Sequence, residues 1–361
     1  MTVVVIGAGI VGLSVAYELA SRGARVRVLD PRGIGQGATR ASAGILAPYI
    51  EGHIDSLLQL GLCSLQLYDE FVARVQADSG ERVELERRGS LHVALDQHEA
   101  TQLASTAQVL ANARVDHQLT DSAGAVRLEP RVTREATAAL LVRSHGYVAP
   151  AALTRALAHA AANRGALLST VEAEAIDPSA DRLEVRTRDE VIAADAVVLA
   201  AGSWSARLTG AGEWVKPIRG QLLQLRVASR PASRVIWGTG CYLVPWRDGT
   251  VLVGATVEDV GFDEGATAGG VRRLLDAAAR LLPVLETARF EETRVGLRPM
   301  THDELPAIGP SSRTKNLFYA AGHYRNGVLL APLTAQLIAD LVLEGREREQ
   351  LALVRPSRLG L

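Results

Sequence analysis

Val3-Val4-Val5-Ile6-Gly7-Ala8-Gly9-Ile10-Val11-Gly12, a helix-like run, and then Arg25-Val26-Arg27-Val28-Leu29-Asp30 make one unbroken unit at the start of the chain. Residues 3 to 6 carry no polar side chain, as in a strand buried on both faces, and a glycine-rich turn begins at the next residue. Gly7 allows a tight turn, Gly9 lets the backbone approach a pyrophosphate, and Gly12 lets the following helix sit close against the strand. That helix aims its free N–H groups and the positive end of its dipole at the phosphates, so no lysine is needed. Val11, Val15 and Leu19, with Ala16 and Ala20, give it an apolar face, and Gly23 stands where a helix ends. Asp30 closes the second strand eighteen residues after Gly12, where a carboxylate accepts hydrogen bonds from a ribose diol. A bare G-x-G-x-x-G is weak evidence, because glycine turns are common; the complete order of strand, turn, helix, strand and acid reads as a dinucleotide cradle. The acid favours FAD or NAD over NADP, with Arg32 two residues later as the one feature on the other side.

The 361 residues, 48% of them hydrophobic, are enough to bury a large core and to build two domains. A net charge of −1 with no run of like charges gives no pull toward nucleic acid or anionic membranes. No apolar run is expected to reach the length of a membrane helix. The N-terminal apolar run has no basic leader and passes straight into the glycine turn, which makes it a core strand and the cytoplasm the expected location. Cys63 and Cys241 lie in no C-x-x-C or Cys/His arrangement, and the eight histidines show no metal spacing, so no metal is expected.

Beyond the cradle, residues 33 to 48 are small and polar, a ligand-contacting loop. Leu58, Leu62, Leu65, Tyr68 and Val72 predict a helix over 55–78, stopped by Ser79-Gly80. Residues 83 to 95 read as strand, and 96 to 144 as a mixed, polar insertion. Pro150 opens a helix that Gly165 ends. Residues 183 to 202 alternate and finish in Asp195-Ala196-Val197-Val198-Leu199-Ala200-Ala201-Gly202, a buried strand running into a Gly-Ser-Trp turn, as expected beside the cradle. Residues 216 to 256 predict antiparallel strands, with Asp248-Gly249 as a hairpin turn. A helix follows up to Pro283, then a strand at 317–321, and a last helix over 329–343.

Four motifs together carry a resemblance: the cradle, Arg40-Ala41-Ser42-Ala43-Gly44-Ile45-Leu46-Ala47-Pro48, Gly296-Leu297-Arg298-Pro299, and Gly322-His323-Tyr324-Arg325-Asn326-Gly327-Val328-Leu329-Leu330-Ala331-Pro332. The chain resembles, over nearly its whole length, the D-amino-acid-oxidase family of flavoproteins, above all its glycine-oxidase branch of thiamine biosynthesis. The last motif is the most specific of the four.

The resemblance implies a mixed α/β protein with a Rossmann-like FAD-binding domain of the glutathione-reductase type and an antiparallel-sheet substrate domain, interleaved along the chain. Residues 1–82, 145–215 and 291–361 would form the first domain, and 83–144 with 216–290 the second. It implies FAD rather than NAD, with Ile10 and Val11 at the pyrophosphate turn and Asp30 and Pro31 at the ribose. Ala38 and Thr39 would lie near the phosphates, Ala43, Gly44 and Ile45 along the isoalloxazine, and Gly202 at the cradle. Val171, in the strand after the helix of residues 151–164, would hold adenine through its backbone. His323, Tyr324, Arg325, Asn326, Gly327, Val328 and Leu329 would wrap the pyrimidine end. The family attaches FAD covalently in some members through a cysteine near Pro299-Met300-Thr301; none stands there, so non-covalent FAD is expected.

For the substrate, the resemblance implies that Arg298 pairs with a carboxylate, Tyr242 donates to it, and Arg325 is a second active-site arginine. The guanidinium fork suits a carboxylate by making two parallel charge-assisted bonds. Gly240 stands where glycine oxidases have a histidine, and Val257 where they have a methionine. Both positions line the family's substrate pocket, so space for larger amines or D-amino acids is expected. The implied reaction is hydride transfer from an amine or amino acid to flavin N5, giving an imine that hydrolyses to a keto or aldehyde acid and ammonia, with oxygen reduced to hydrogen peroxide. A dehydrogenase using another acceptor is the alternative. Family members are often tetramers, so a homo-oligomer is expected.

Overall fold

The computed structural model describes residues 1–49, 55–179 and 182–361. The opening unit folds as its pattern dictates. Val3 and Val5 enter one apolar core with Leu13 and Ala16 of the helix Ile10–Ser21, while Val4 and Ile6 enter a second core with Leu29, Val197 and Leu199. Alternation of side chains along a strand puts successive valines on opposite faces, and both faces are covered. The strand Thr2–Ile6 is thereby the centre of a six-stranded sheet. Its order is Ala307–Pro310, Leu317–Ala321, Ala196–Leu199, Thr2–Ile6, Arg25–Leu29, Leu167–Ser169. All neighbours are parallel except Ala307–Pro310, which runs antiparallel to Leu317–Ala321.

One face of this sheet is covered by the helices Ile10–Ser21, Asp55–Ser79, Pro150–Asn163 and Gly327–Glu344, and the other by a small antiparallel sheet of Ala175–Pro178, Leu183–Arg186 and Val191–Ala194. The first helix ends as expected. Gly23 has φ +87°, its N–H donates to Ala20 O and that of Ala24 to Leu19 O, a Schellman closure.

The helix Gly327–Glu344 corrects one expectation. It has 18 residues with a mean hydropathy of 1.5, long and apolar enough to cross a membrane, but 78% of it is buried inside the fold, where it serves as a core helix. Pro332 sits within it and has no N–H to offer the carbonyl of Val328. Tyr68 Oη donates to that carbonyl instead, at 2.6 Å, from the helix alongside.

A second sheet has eight strands, in the order Arg289–Met300, Lys216–Arg226, Thr250–Gly254, Cys241–Pro245, Val235–Gly238, Ser90–Ala94, Ala138–Val142, His117–Asp121. Only the pair Val235–Gly238 and Ser90–Ala94 is parallel. The helix Ala268–Leu281 covers one face through Leu274, Ala278 and Leu281. The other face, with Leu222, Val244 and Leu252, meets Ala41, Ala43 and Tyr147. The stretch expected to be a mixed, polar insertion supplies two of these strands, Ala138–Val142 and His117–Asp121, and the helices Gln97–Asn112 and Ser122–Leu128. Asp96 caps the first, accepting from Glu99 N at 2.8 Å, while Glu99 accepts from Leu95 N at 2.7 Å.

Candidate active site

A cavity of about 890 Å³ lies between the ends of the parallel strands and the inner face of the eight-stranded sheet. Its first wall is backbone. A Cβ at Gly7, which has φ +114°, would stand 2.3 Å from Ala200 O, and one at Gly12 would stand 2.0 Å from Gly7 O. Both positions exclude any side chain, so strand, turn and helix approach as closely as the motif requires. Thr39 Oγ1 accepts from Ile10 N at 3.1 Å, which ties the loop after the second strand to the helix N-terminus. The helix Gly327–Glu344 starts next to this point, its first residue facing His323 and Val11. Two helix N-termini thus open on one cavity, a favourable setting for anionic groups.

Gly7, Gly9, Ile10, Val11, Asp30, Pro31, Ala38, Thr39, Ala43, Gly44, Ile45 and Gly202 all line this cavity, as does the whole run His323, Tyr324, Arg325, Asn326, Gly327, Val328, Leu329. Asp30 accepts from Ala8 N and Arg32 N, each at 2.8 Å, so its carboxylate is turned across the glycine turn. His323 is buried and its Nε2 pairs with Thr334 Oγ1 at 3.0 Å; burial pushes its pKa down to about 3, so the ring is neutral.

Val171 is placed differently from the expectation. The strand ends at Ser169, and Val171 follows it in an irregular segment of which Glu172, Ala173 and Glu174, not Val171, line the cavity. This end also draws in Phe262 and Glu264, which the sequence did not single out. Arg32 lies over the Trp204 ring at 5.1 Å and pairs with Glu264 at 3.1 Å, and Phe262 meets Trp204 at 5.7 Å between ring centres. The loop 256–267 therefore reaches across from the second sheet to the mouth of the cradle.

The far wall is made of side chains. Tyr242, Arg298 and Arg325 all line it, brought together from two strands and the loop before the last helix. Arg298 lies flat on Gly220 of the neighbouring strand: a Cβ there would come within 2.4 Å of Nη2. Its Nη1 donates to Thr256 O at 3.0 Å and to Arg219 O at 3.4 Å. The Tyr242 ring lies over Gly254 in the same way, and Trp237 backs it at 5.3 Å between ring centres. Arg325 lies over the Tyr324 ring at 4.9 Å and faces Glu304 at 3.7 Å. Tyr324 N donates to Pro299 O at 2.8 Å, which joins the Arg298 strand to the loop carrying Arg325. Gly220 and Gly254 are the residues the sequence reading missed here. Each is a glycine inside a strand, the pattern that signals close approach of another group.

Gly240 and Val257 are not among the residues lining the cavity. Gly240 sits in the two-residue turn between Val235–Gly238 and Cys241–Pro245, with φ +86° and Ala277 as its nearest neighbour. The turn needs its positive φ, so glycine there makes no space beside a substrate. Val257 is 59% exposed and points outward. What reaches the site from that segment is the carbonyl of Thr256.

The residues present fit a bound dinucleotide. Two glycine positions leave no room for a Cβ, two helix N-termini converge, an acid closes the second strand, and the volume sits in the upper part of the roughly 300–1,000 Å³ of small-molecule sites. Among the described residues the lining carboxylates Asp30, Glu172, Glu174 and Glu264 all belong to the cradle end. Among the described residues no group of three or more His, Cys, Asp or Glu side chains is placed to hold a metal.

A family model described as FAD dependent oxidoreductase matches residues 2–341. Glycine oxidase of Geobacillus kaustophilus is 35% identical over 357 residues, covering 97% of this chain and 94% of that protein. The crystal structure of glycine oxidase from the same organism superposes with a TM-score of 0.93 at 34% identity, over 98% of this chain and 97% of that one. The bifunctional protein ThiO/ThiG of a Nostoc species is 36% identical over 372 residues, covering 99% of this chain and 55% of that protein.

Proposed function

The chain belongs to the D-amino-acid-oxidase family of FAD-dependent oxidoreductases, its cofactor is FAD, and on that premise we propose that it oxidatively deaminates glycine and other small amines or D-amino acids. The observation that carries this is Arg298: a guanidinium held along one edge by two backbone carbonyls, on a wall of the same cavity as the cradle. Bound FAD supplies the two-electron acceptor, and oxygen the route to hydrogen peroxide.

The chain's own residues bind and orient. Arg298 takes the substrate carboxylate through its other edge, and Tyr242 donates to the same group, so the carbon bearing the amine is held in one direction. Arg325 supplies a second positive charge at this end, and the buried, neutral His323 keeps the adjoining loop fixed on Thr334. Among the described residues the carboxylates that line the cavity lie at the cradle end, and in this reading the amine binds neutral, with no side-chain base taking its proton. The imine formed on the substrate then hydrolyses to the keto or aldehyde acid and ammonia. In this reading FAD is held non-covalently, no cysteine standing at Pro299-Met300-Thr301 where some family members attach it, and the enzyme works in the cytoplasm.

Anaerobic mixing of the FAD-loaded protein with glycine, sarcosine, D-alanine and D-proline tests this. Rapid bleaching of the flavin spectrum by glycine or a small D-amino acid, with recovery and peroxide on admitting air, is the expected result. Bleaching without recovery in air would move the assignment to a dehydrogenase with another acceptor. No bleaching by any of the four would sink the substrate assignment.

A further inference from the structure

Behind Arg298, on the side of the strand Lys216–Arg226 away from the cavity, lies a buried polar cluster that the reaction does not touch. Gly220 faces the cavity, so its neighbours Arg219 and Gln221 point to the opposite side. Both are buried. Arg219 donates from Nε to Glu258 Oε2 at 2.6 Å, and from Nη1 to Asp263 Oδ2 at 2.5 Å and Gly265 O at 3.0 Å. Gln221 Nε2 donates to Glu258 Oε1 at 2.9 Å and to Thr267 Oγ1 at 3.0 Å, and its Oε1 accepts from Thr267 N at 2.8 Å.

The cluster fixes a piece of main chain. Arg219 N donates to Glu258 O at 2.8 Å, Glu258 N to Arg219 O at 3.0 Å, and Thr256 N to Gln221 O at 3.2 Å, while Gln221 N donates to Thr256 Oγ1 at 2.9 Å. Thr256–Glu258 is thus laid along Arg219–Gln221 like one more short strand. Its first carbonyl, Thr256 O, stands 3.0 Å from Arg298 Nη1. A guanidinium offers donors on more than one edge, and nothing in its own chemistry says which edge faces a ligand. An accepting carbonyl fixed behind it does. The Arg219 carbonyl, at 3.4 Å, takes the same nitrogen.

We propose that Arg219, through its ion pair with Glu258, is a positioning residue for Arg298: it fixes the Thr256 carbonyl, which holds one guanidinium edge and turns the other toward the substrate carboxylate. This rests on the reading of Arg298 as the carboxylate site. Arg219 meets neither substrate nor cofactor, and its effect belongs to binding of the carboxylate rather than to the chemical step. Arg219→Lys keeps the charge but cannot reproduce the fork that reaches Glu258, Asp263 and Gly265 together.

The test uses the FAD-loaded enzyme and glycolate, a carboxylate without an amine, whose binding is read from the perturbed flavin spectrum. Glu258→Gln and Arg219→Lys should each raise the glycolate Kd and the glycine KM by roughly tenfold, about 1.4 kcal/mol, with kcat within about twofold. The FAD dissociation constant should stay at its parental value. In an Arg298→Lys background the further effect of Glu258→Gln on glycolate should shrink markedly, because both changes act on one contact. Unchanged glycolate binding in both folded variants, or equal effects in the two backgrounds, would overturn the proposal. So would a fall in melting temperature with FAD loss and no selective change in KM, which is what a purely structural cluster gives. A parental enzyme that is bleached by glycine but does not bind glycolate overturns the positioning role alone; one that does neither overturns the reading of Arg298 as well. Should Glu258→Gln fail to fold, the conservative Arg219→Lys carries the same measurement.

Discussion

The two ends of the cavity are built on opposite plans. At the cradle end the walls are main chain: Gly7 and Gly12 admit no Cβ, and the helices Ile10–Ser21 and Gly327–Glu344 present their N-termini. At the other end the walls are side chains laid on glycines of neighbouring strands, Arg298 on Gly220 and Tyr242 on Gly254. A backbone wall is set by a few adjacent residues and has little freedom to adjust, because what a new Cβ strikes is a carbonyl. A side-chain wall depends on strand register between segments far apart in sequence, and it can yield, because what a new Cβ strikes is the end of a flexible side chain.

The harshest way to break this contrast is Gly12→Val. Its Cβ would meet Gly7 O at 2.0 Å, and backbone must move. The expected outcome is protein that purifies without flavin absorbance; a yellow, stoichiometrically loaded variant would mean that the backbone wall has slack. Arg298→Ala attacks the other end. Loss of two charge-assisted bonds, each about 1.5–3 kcal/mol, predicts a fall of roughly 10²–10⁴-fold in glycine kcat/KM with FAD retained. Steady-state kinetics with a flavin spectrum on the same sample checks both halves. Gly220→Ala should do less, since Arg298 can swing aside: a KM increase of about tenfold, or about 1.4 kcal/mol, is expected with kcat little changed.

The buried histidines sharpen the comparison through pH. Burial lowers His92 and His323 from about 6.5 to about 3, so between those values the unfolded chain takes up protons that the folded chain refuses. Their contribution to stability is complete above pH 6.5 and is lost as pH falls toward 3. Denaturation curves across that window should show His92→Asn flattening the slope by up to about 1.4 kcal/mol per pH unit. His92 stacks on Trp237, which backs Tyr242, so this variant disturbs the side-chain wall without touching the cradle. The smallest effect is expected at Gly240. Gly240→Ala should cost about 1 kcal/mol of stability through its positive φ and change glycine kcat/KM less than about threefold.

The cradle was fully legible because its signals are local. Strand, turn, helix and acid succeed one another within thirty residues, and each follows from the dihedral freedom, dipole or periodicity of adjacent positions. The hairpin around Asp248-Gly249 and the helix ended by Gly23 were legible for the same reason. The helix Gln97–Asn112 escaped because its buried stripe is thin, with only Ala107 and Leu110 fully covered, although Asp96-x-x-Glu99 marked its start. Val171 and Gly240 were positions carried by resemblance alone, and the geometry puts neither against the cavity.

By itself, then, the sequence determined the cradle, the covered parallel sheet and the residue types an amino-acid oxidase needs. Only the tertiary structure decided which of those residues meet. Arg298, Gly220 and Thr256 come together because three segments pair in one register, and a register shift of one residue would turn Arg298 to the other face. No local pattern encodes that register; it is fixed by burial of both sheets' apolar faces at once.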